Sequence, residues 1–141
     1  MIRVQSDPFD PWQEVAAYQQ QSGSLAGRFG ATTVFVGSLR DFSQGRQIRE
    51  MTLEHYAGMT EKHLEKVSRE AMTRWDILDA LVIHRYGRLK PADPIVLVAV
   101  WSAHRDEAFQ ACRYLIDELK TRAPFWKNEA TDAGQRWVVP D

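Results

Sequence analysis

The chain has 141 residues, with 18 Lys and Arg against 19 Asp and Glu, 44% hydrophobic and 26% charged residues, and a formal net charge of -1. This is the composition of an ordinary globular chain, and at this length about two thirds of the unfolded surface can be buried without disulfide or metal staples. Disordered, collagen-like and fibrous readings are excluded, and no global field exists to attract nucleic acid or an anionic membrane, so anion recognition requires a local cluster of cations.

One domain spanning residues 1–141 is expected. The single cysteine, Cys112, rules out an intramolecular disulfide framework and a multi-cysteine metal site, which fits a reducing cytoplasm. Met1 to Pro8 has no apolar core segment, so no signal peptide is expected. The longest apolar run, Ile95 to Trp101, falls far short of the roughly 20 residues that span a bilayer.

In chain order, Asp10-Pro11-Trp12-Gln13 reads as a helix start, with Asp10 as N-cap, Pro11 at the first helical position and Gln13 closing a capping box. A short helix to about Gln20 follows. Ala31 to Gly37 is β-branched and suits a buried strand, and a second strand is expected from Ile48 to Tyr56. Between them, Asp41 to Gln47 has turn composition and reads as a mobile loop. From Gly58, Leu64, Val67, Ala71 and Trp75 fall at helical spacing. Two apolar segments, Ile77 to Tyr86 and Ile95 to Trp101, read as strands around a turn. Ser102 to Lys120 then places Ala108, Cys112, Leu115, Ile116 and Leu119 on one helical stripe. Pro124 ends that helix, and a last strand is expected at Arg136 to Val139. Grouped strands with interspersed helices indicate an α+β fold rather than a doubly wound parallel sheet.

Signatures of serine hydrolases, phosphate-binding loops, dinucleotide-binding folds and zinc peptidases are absent. Cys112 sits on an apolar stripe and reads as a buried structural thiol. His55, His63, His84 and His104 lack metal-ligand spacing, and His84 reads as a hydrogen-bonded sheet histidine. What remains is a set of cations at element ends: Arg40, His104-Arg105, Lys120 and Lys127. The stem of Lys120 borders the apolar stripe and its ammonium is expected to face a Phe125-Trp126 turn, where desolvation and neighbouring cations would favour proton transfer. If these groups converge they form an anion pocket, since arginine grips phosphate bidentately and lysine can also exchange a proton.

Five blocks then stand out in order: Phe35 to Asp41, Leu53 to Met59, His84 to Gly87, Ser102 to Phe109, and Pro124 to Glu129. In sequence and spacing they resemble the catalytic (large) subunits of molybdopterin synthase, over about Phe29 to Val138. The resemblance implies an α/β hammerhead-type fold with antiparallel strands and flanking helices. It implies a sulfurtransferase of molybdenum cofactor biosynthesis that converts cyclic pyranopterin monophosphate into dithiolene-bearing molybdopterin. The implied sulfur donor is the C-terminal Gly-Gly thiocarboxylate of a ubiquitin-like small subunit, bound at each end of a homodimer of large subunits to give a heterotetramer. By the same resemblance, Lys120 and Lys127 match the catalytic lysines. Ser38, Leu39 and Arg40, His104 and Arg105, and Asn128 and Glu129 match substrate-binding positions, with Leu39 contributing backbone groups. Many relatives carry a second basic residue where this chain has Asn128. No metal, bound cofactor, nucleic acid or membrane is implied.

Two other readings share these residues: a non-catalytic module that docks a ubiquitin-like partner with the cations clamping its terminal carboxylate, and a pterin- or nucleotide-binding protein without chemistry.

Overall fold

The computed structural model describes residues 1–122 and 125–138, with the backbone but not the side chain of Trp126. The helix stop assigned to Pro124 and the Val139 end of the last expected strand lie outside the described residues. In chain order the elements are β1 (Ile2–Gln5), α1 (Pro11–Gln21), β2 (Ala31–Ser38), β3 (Phe42–Ser43), β4 (Arg46–His55), α2 (Met59–Arg74), β5 (Asp79–Arg85), β6 (Gly87–Leu89), β7 (Pro94–Ser102), α3 (Arg105–Thr121), β8 (Phe125–Thr131) and β9 (Gly134–Val138). The fold is α+β, with mostly antiparallel strands and flanking helices, as expected. Strands β1, β3, β6 and β8 are additions to the sequence reading.

The first sheet has the order β1-β5-β7-β2, and β1 runs parallel to β5 while the other pairs are antiparallel. Alternation along β5 and β7 divides the core in two. Ala80, Val82, Val96, Val98 and Val100 face α2 (Leu64, Val67, Ala71) and α3 (Ala111, Cys112, Leu115, Ile116, Leu119). Leu81, Ile83, Leu97, Ala99 and Trp101 face Leu25 and the α1 residues Val15 and Tyr18. Burial on both faces explains why these strands read as continuous apolar runs, and each fully buried side chain of this size stabilises by about 1.5–3 kcal/mol. Cys112 is buried as expected, with Sγ 3.9 Å from the Val98 carbonyl and its thiol pushed up to about 11 by burial, so it is inert.

Helix α1 starts as expected at Pro11, and Asp10 Oδ1 accepts from the backbone N–H groups of Trp12 (3.0 Å) and Gln13 (3.4 Å), the half of the capping box that Asp10 supplies. The helix docks through polar groups as well as packing: Trp101 Nε1 donates to Gln19 Oε1 at 3.0 Å, and the Tyr18 hydroxyl donates to Asp79 Oδ2 at 2.6 Å.

The second sheet runs β3-β4-β8-β9, with β6 also paired to β4. It covers a smaller core of Leu39, Ile48, Met51, Leu53 and Leu89, closed by Ile95 and Phe125. The segment read as a loop from Asp41 to Gln47 is instead a hairpin, in which Phe42 pairs with Gln47 and Ser43 with Arg46. Gln44 (φ 50°) and Gly45 (φ 77°) form its two-residue turn, both in the left-handed region whose twist matches the flanking strands. The low apolar content hid this strand because only two residues of it pair.

His84 sits on β5 with 8% of its surface exposed, stacked on Phe125 at a centroid separation of 3.9 Å. Its Nδ1–H donates to the Arg85 carbonyl at 2.8 Å, as expected of a sheet histidine. Burial, aided by the charges of Lys127 and His55 and opposed by that hydrogen bond, pushes the imidazole down to about 4. The unfolded chain protonates His84 near 6.5 while the folded chain leaves it neutral, so its contribution is complete above pH 6.5 and is lost as pH falls towards 4. We expect the urea-unfolding free energy of the wild type to lose about 3 kcal/mol relative to His84→Gln between pH 7 and pH 4. An unchanged difference across that range would mean that His84 is charged in the native state.

Candidate functional site

A cavity of about 330 Å³ opens between the end of β2, the β3–β4 hairpin, the last turn of α3 and the inner face of β8. Six of the nine residues singled out from the sequence line it: Ser38, Leu39, Arg40, Lys120, Lys127 and Glu129. His104, Arg105 and Asn128 do not.

The β2 wall is set by backbone irregularity. The pairing of β2 with β7 shifts register between Gly37 and Ser38, a bulge that turns the following residues towards the cavity. Gly37 is needed for close approach, because a Cβ there would lie 2.8 Å from Val96 Cγ1 and 3.3 Å from Phe35 Cε1. Leu39 is buried, its N–H donates to the Asp93 carbonyl at 3.0 Å, and its carbonyl accepts from Ala92 at 2.8 Å. Both backbone groups thus anchor Leu39 to the turn that ends at Asp93, while the residue lines the cavity. Arg40, the next residue, is exposed at the rim.

Lys120 occupies the last turn of α3, directly after buried Leu119, where the helix dipole favours a cation. The residue as a whole is exposed, and Phe125 beyond it opens a strand instead of a turn. On β8 the pleat places Phe125, Lys127 and Glu129 on the cavity face, and Asn128 on the opposite one. Of the block Lys127, Asn128 and Glu129, the first and third line the cavity within one chain and Asn128 does not. Glu129 is 3% exposed, and its Oε1 accepts from Arg136 Nε at 3.0 Å.

Sequence reasoning missed His84 as a lining residue, together with the apolar Phe35 and Phe42, and gave Arg136 no role. A signal for His84 was present in its place within an apolar strand. Arg136 had none, because its contacts depend on how the second sheet curls.

His104 and Arg105 line a separate hollow with Gly30, Ala103, Asp106 and Glu107. They sit at the start of α3 and Lys120 at its end, and at 1.5 Å per residue the two sites are about 22 Å apart along the axis. Within one chain, then, the convergence that the sequence left open holds for Arg40, Lys120 and Lys127 and not for His104 and Arg105.

The arrangement can hold a phosphate-sized anion beside a group able to exchange protons, with apolar walls suited to a flat ring. Among the described residues, no three His, Cys, Asp or Glu side chains are placed to hold a metal ion, and no helix is long and apolar enough to cross a membrane.

Comparison with known proteins places the chain in a family. The family profile described as "MoaE protein" matches residues 4–122. The chain is 54% identical over 139 residues to the molybdopterin synthase catalytic subunit of Ralstonia nicotianae, covering 97% of this chain and 76% of that protein. It is 53% identical over 137 residues to the molybdopterin synthase catalytic subunit of Pseudomonas aeruginosa, covering 97% and 89%. The crystal structure of molybdopterin synthase from Staphylococcus aureus superposes with a TM-score of 0.85 at 30% identity, covering 97% of this chain and 96% of that one. The chain belongs to the MoaE protein family.

Proposed function

We propose that the chain is the catalytic subunit of a molybdopterin synthase and transfers sulfur to cyclic pyranopterin monophosphate to build the dithiolene of molybdopterin. The observation that carries this reading is that Arg40, Lys120 and Lys127 line a single cavity with an apolar floor. The pterin ring lies against that floor and Arg40 grips the phosphate. The nucleophile is the C-terminal thiocarboxylate of a ubiquitin-like small subunit, so the chain needs no activated Ser or Cys of its own, and Cys112 is buried away from this role. Opening of the cyclic phosphate leaves charge on oxygen, which Lys127 stabilises and to which Lys120 delivers a proton. Each thiocarboxylate sulfur bonds to a pterin side-chain carbon, and water then hydrolyses the resulting thioester, leaving the sulfur on the pterin and releasing the small subunit as its carboxylate; two sulfurs require two carrier tails in turn, so the cavity retains a half-sulfurated intermediate between them. A reducing cytoplasm suits both the lone cysteine and the thiocarboxylate donor.

His104 and Arg105 act as further anion ligands. Because they stand at the far end of α3 from Lys120, they meet the same substrate when a second copy in the homodimer presents them to this cavity.

The test is a single-turnover assay with purified protein, cyclic pyranopterin monophosphate and thiocarboxylated small subunit, following dithiolene product by mass spectrometry. Product that depends on both partners is expected, and a stable complex that transfers no sulfur would reduce the chain to a docking module. Lys120→Ala should lower turnover about a hundredfold or more while its melting temperature stays at the wild-type value, because the residue is exposed. Lys66→Ala, on the exposed face of α2, should change neither. Normal turnover in Lys120→Ala would remove lysine chemistry from the account.

Mixing Lys120→Ala with Arg105→Ala after subunit exchange tests the shared site. Random pairing restores one intact site in each mixed dimer, so about a quarter of wild-type activity should return. No recovery would confine each site to one chain.

A further inference from the structure

We infer that Arg136 is a positioning residue of the cavity, which withholds the Glu129 carboxylate from the cavity's cations and pins the β3–β4 hairpin over its mouth. Glu129 lines the same cavity as Arg40, Lys120 and Lys127, where a free carboxylate would compete with an anionic substrate for those groups. Glu129 does not stand free: Arg136 Nε donates to its Oε1 at 3.0 Å. The two residues are cross-strand partners on β8 and β9, so the pair is set by register.

The other end of the same guanidinium does a second job. Arg136 Nη2 donates to the Ser43 carbonyl at 2.5 Å. Ser43 belongs to β3, which β4 and β8 separate from β9 in the sheet order. Three strand spacings across a flat sheet amount to about 14 Å, beyond the reach of one arginine side chain, so the contact exists because the sheet curls over the cavity. Ser43 and Gln44 form part of the cavity wall. One side chain thus couples the local charge balance to the position of the wall. The guanidinium is suited to this because its donors form a rigid fork, whereas a lysine could satisfy one partner at a time.

The inference rests on the sulfur-transfer reading only for its kinetic test. We expect Arg136→Met to raise the KM for the pterin phosphate about tenfold while kcat changes by less than about twofold, the pattern of lost uniform binding. Adding Glu129→Gln to Arg136→Met should recover most of the accompanying loss of affinity for inorganic phosphate, which reports the cations and is independent of any pterin contact made by Glu129. A purely structural strut predicts no such rescue. Arg136→Lys, the conservative variant, should fall between wild type and Arg136→Met.

Two measurements on the ligand-free proteins make the inference independent of turnover. Trypsin should cut the hairpin at Arg46 at least about fivefold faster in Arg136→Met, and inorganic phosphate should bind more weakly to it and regain affinity in the double variant. Circular dichroism and thermal melts verify that each variant is folded. If the wild type transfers no sulfur, the function above fails and Arg136 is judged on proteolysis and phosphate binding alone. A double variant no better than Arg136→Met, or a hairpin no more open to trypsin, overturns the inference.

Discussion

Strand β7 pairs with β2 on one side and β5 on the other, and residues of both its faces are wholly buried, so β2 and α3, two of the elements that carry cavity side chains, are positioned against it. Its Val98 and Val100 face seats α3, and the length of that helix determines where Lys120 emerges. Its pairing with β2 delivers the bulge at Gly37 and Ser38, and so the direction in which Arg40 leaves the sheet. Interiors of this kind are close-packed and transmit displacement, so a methylene change in β7 would be felt at the cavity rim.

The second sheet works differently. Its core is small, and it is held to the first by Leu39, Ile95 and Phe125 rather than by a shared strand. A sheet with so little beneath it needs other constraints, and polar contacts supply them. Leu39 is tied through both backbone groups to the turn that ends at Asp93, and Lys90 N–H donates to Asp93 Oδ2 at 2.8 Å within that turn. Arg85, buried on β5, donates to the Ser6 and Arg88 carbonyls and so fastens the β5–β6 corner. Buried hydrogen-bonded polar groups are costly to break, which makes them effective at holding a cavity whose own lining is open to water.

Much of this architecture was legible in the sequence. The stripes of α2 and α3, the β-branched run of β2 and the apolar run of β7 have lengths and periods that leave few alternatives, and each forms close to its expected bounds. The cation set was legible as chemistry but not as geometry. The helix stop at Pro124 marks the segment after it as a turn, although Phe125, Trp126 and Thr131 favour a strand, so β8 went unseen, and with it the pleat that sends Asn128 away from its neighbours. The division of the cations between two ends of α3 could have been worked out from the expected helix itself, since about fifteen residues at 1.5 Å each cannot be spanned by side chains. Arg136 was beyond reach, because its contact with Ser43 depends on curvature that no local pattern encodes.

The pleat of β8 also changes what the asparagine at 128 means. Were the block contiguous, losing a base there would remove one of the charges that hold an anion. Asn128 instead pairs across the sheet with Thr52 and Trp137, on the face turned away from the cavity. The field inside the cavity is set by Arg40, Lys120 and Lys127, with Glu129 held by Arg136 and His84 kept neutral by burial. Under the proposed function the missing base therefore bears on whatever contacts the outer face of β8, and the anion is held by Arg40, Lys120 and Lys127, which line the cavity.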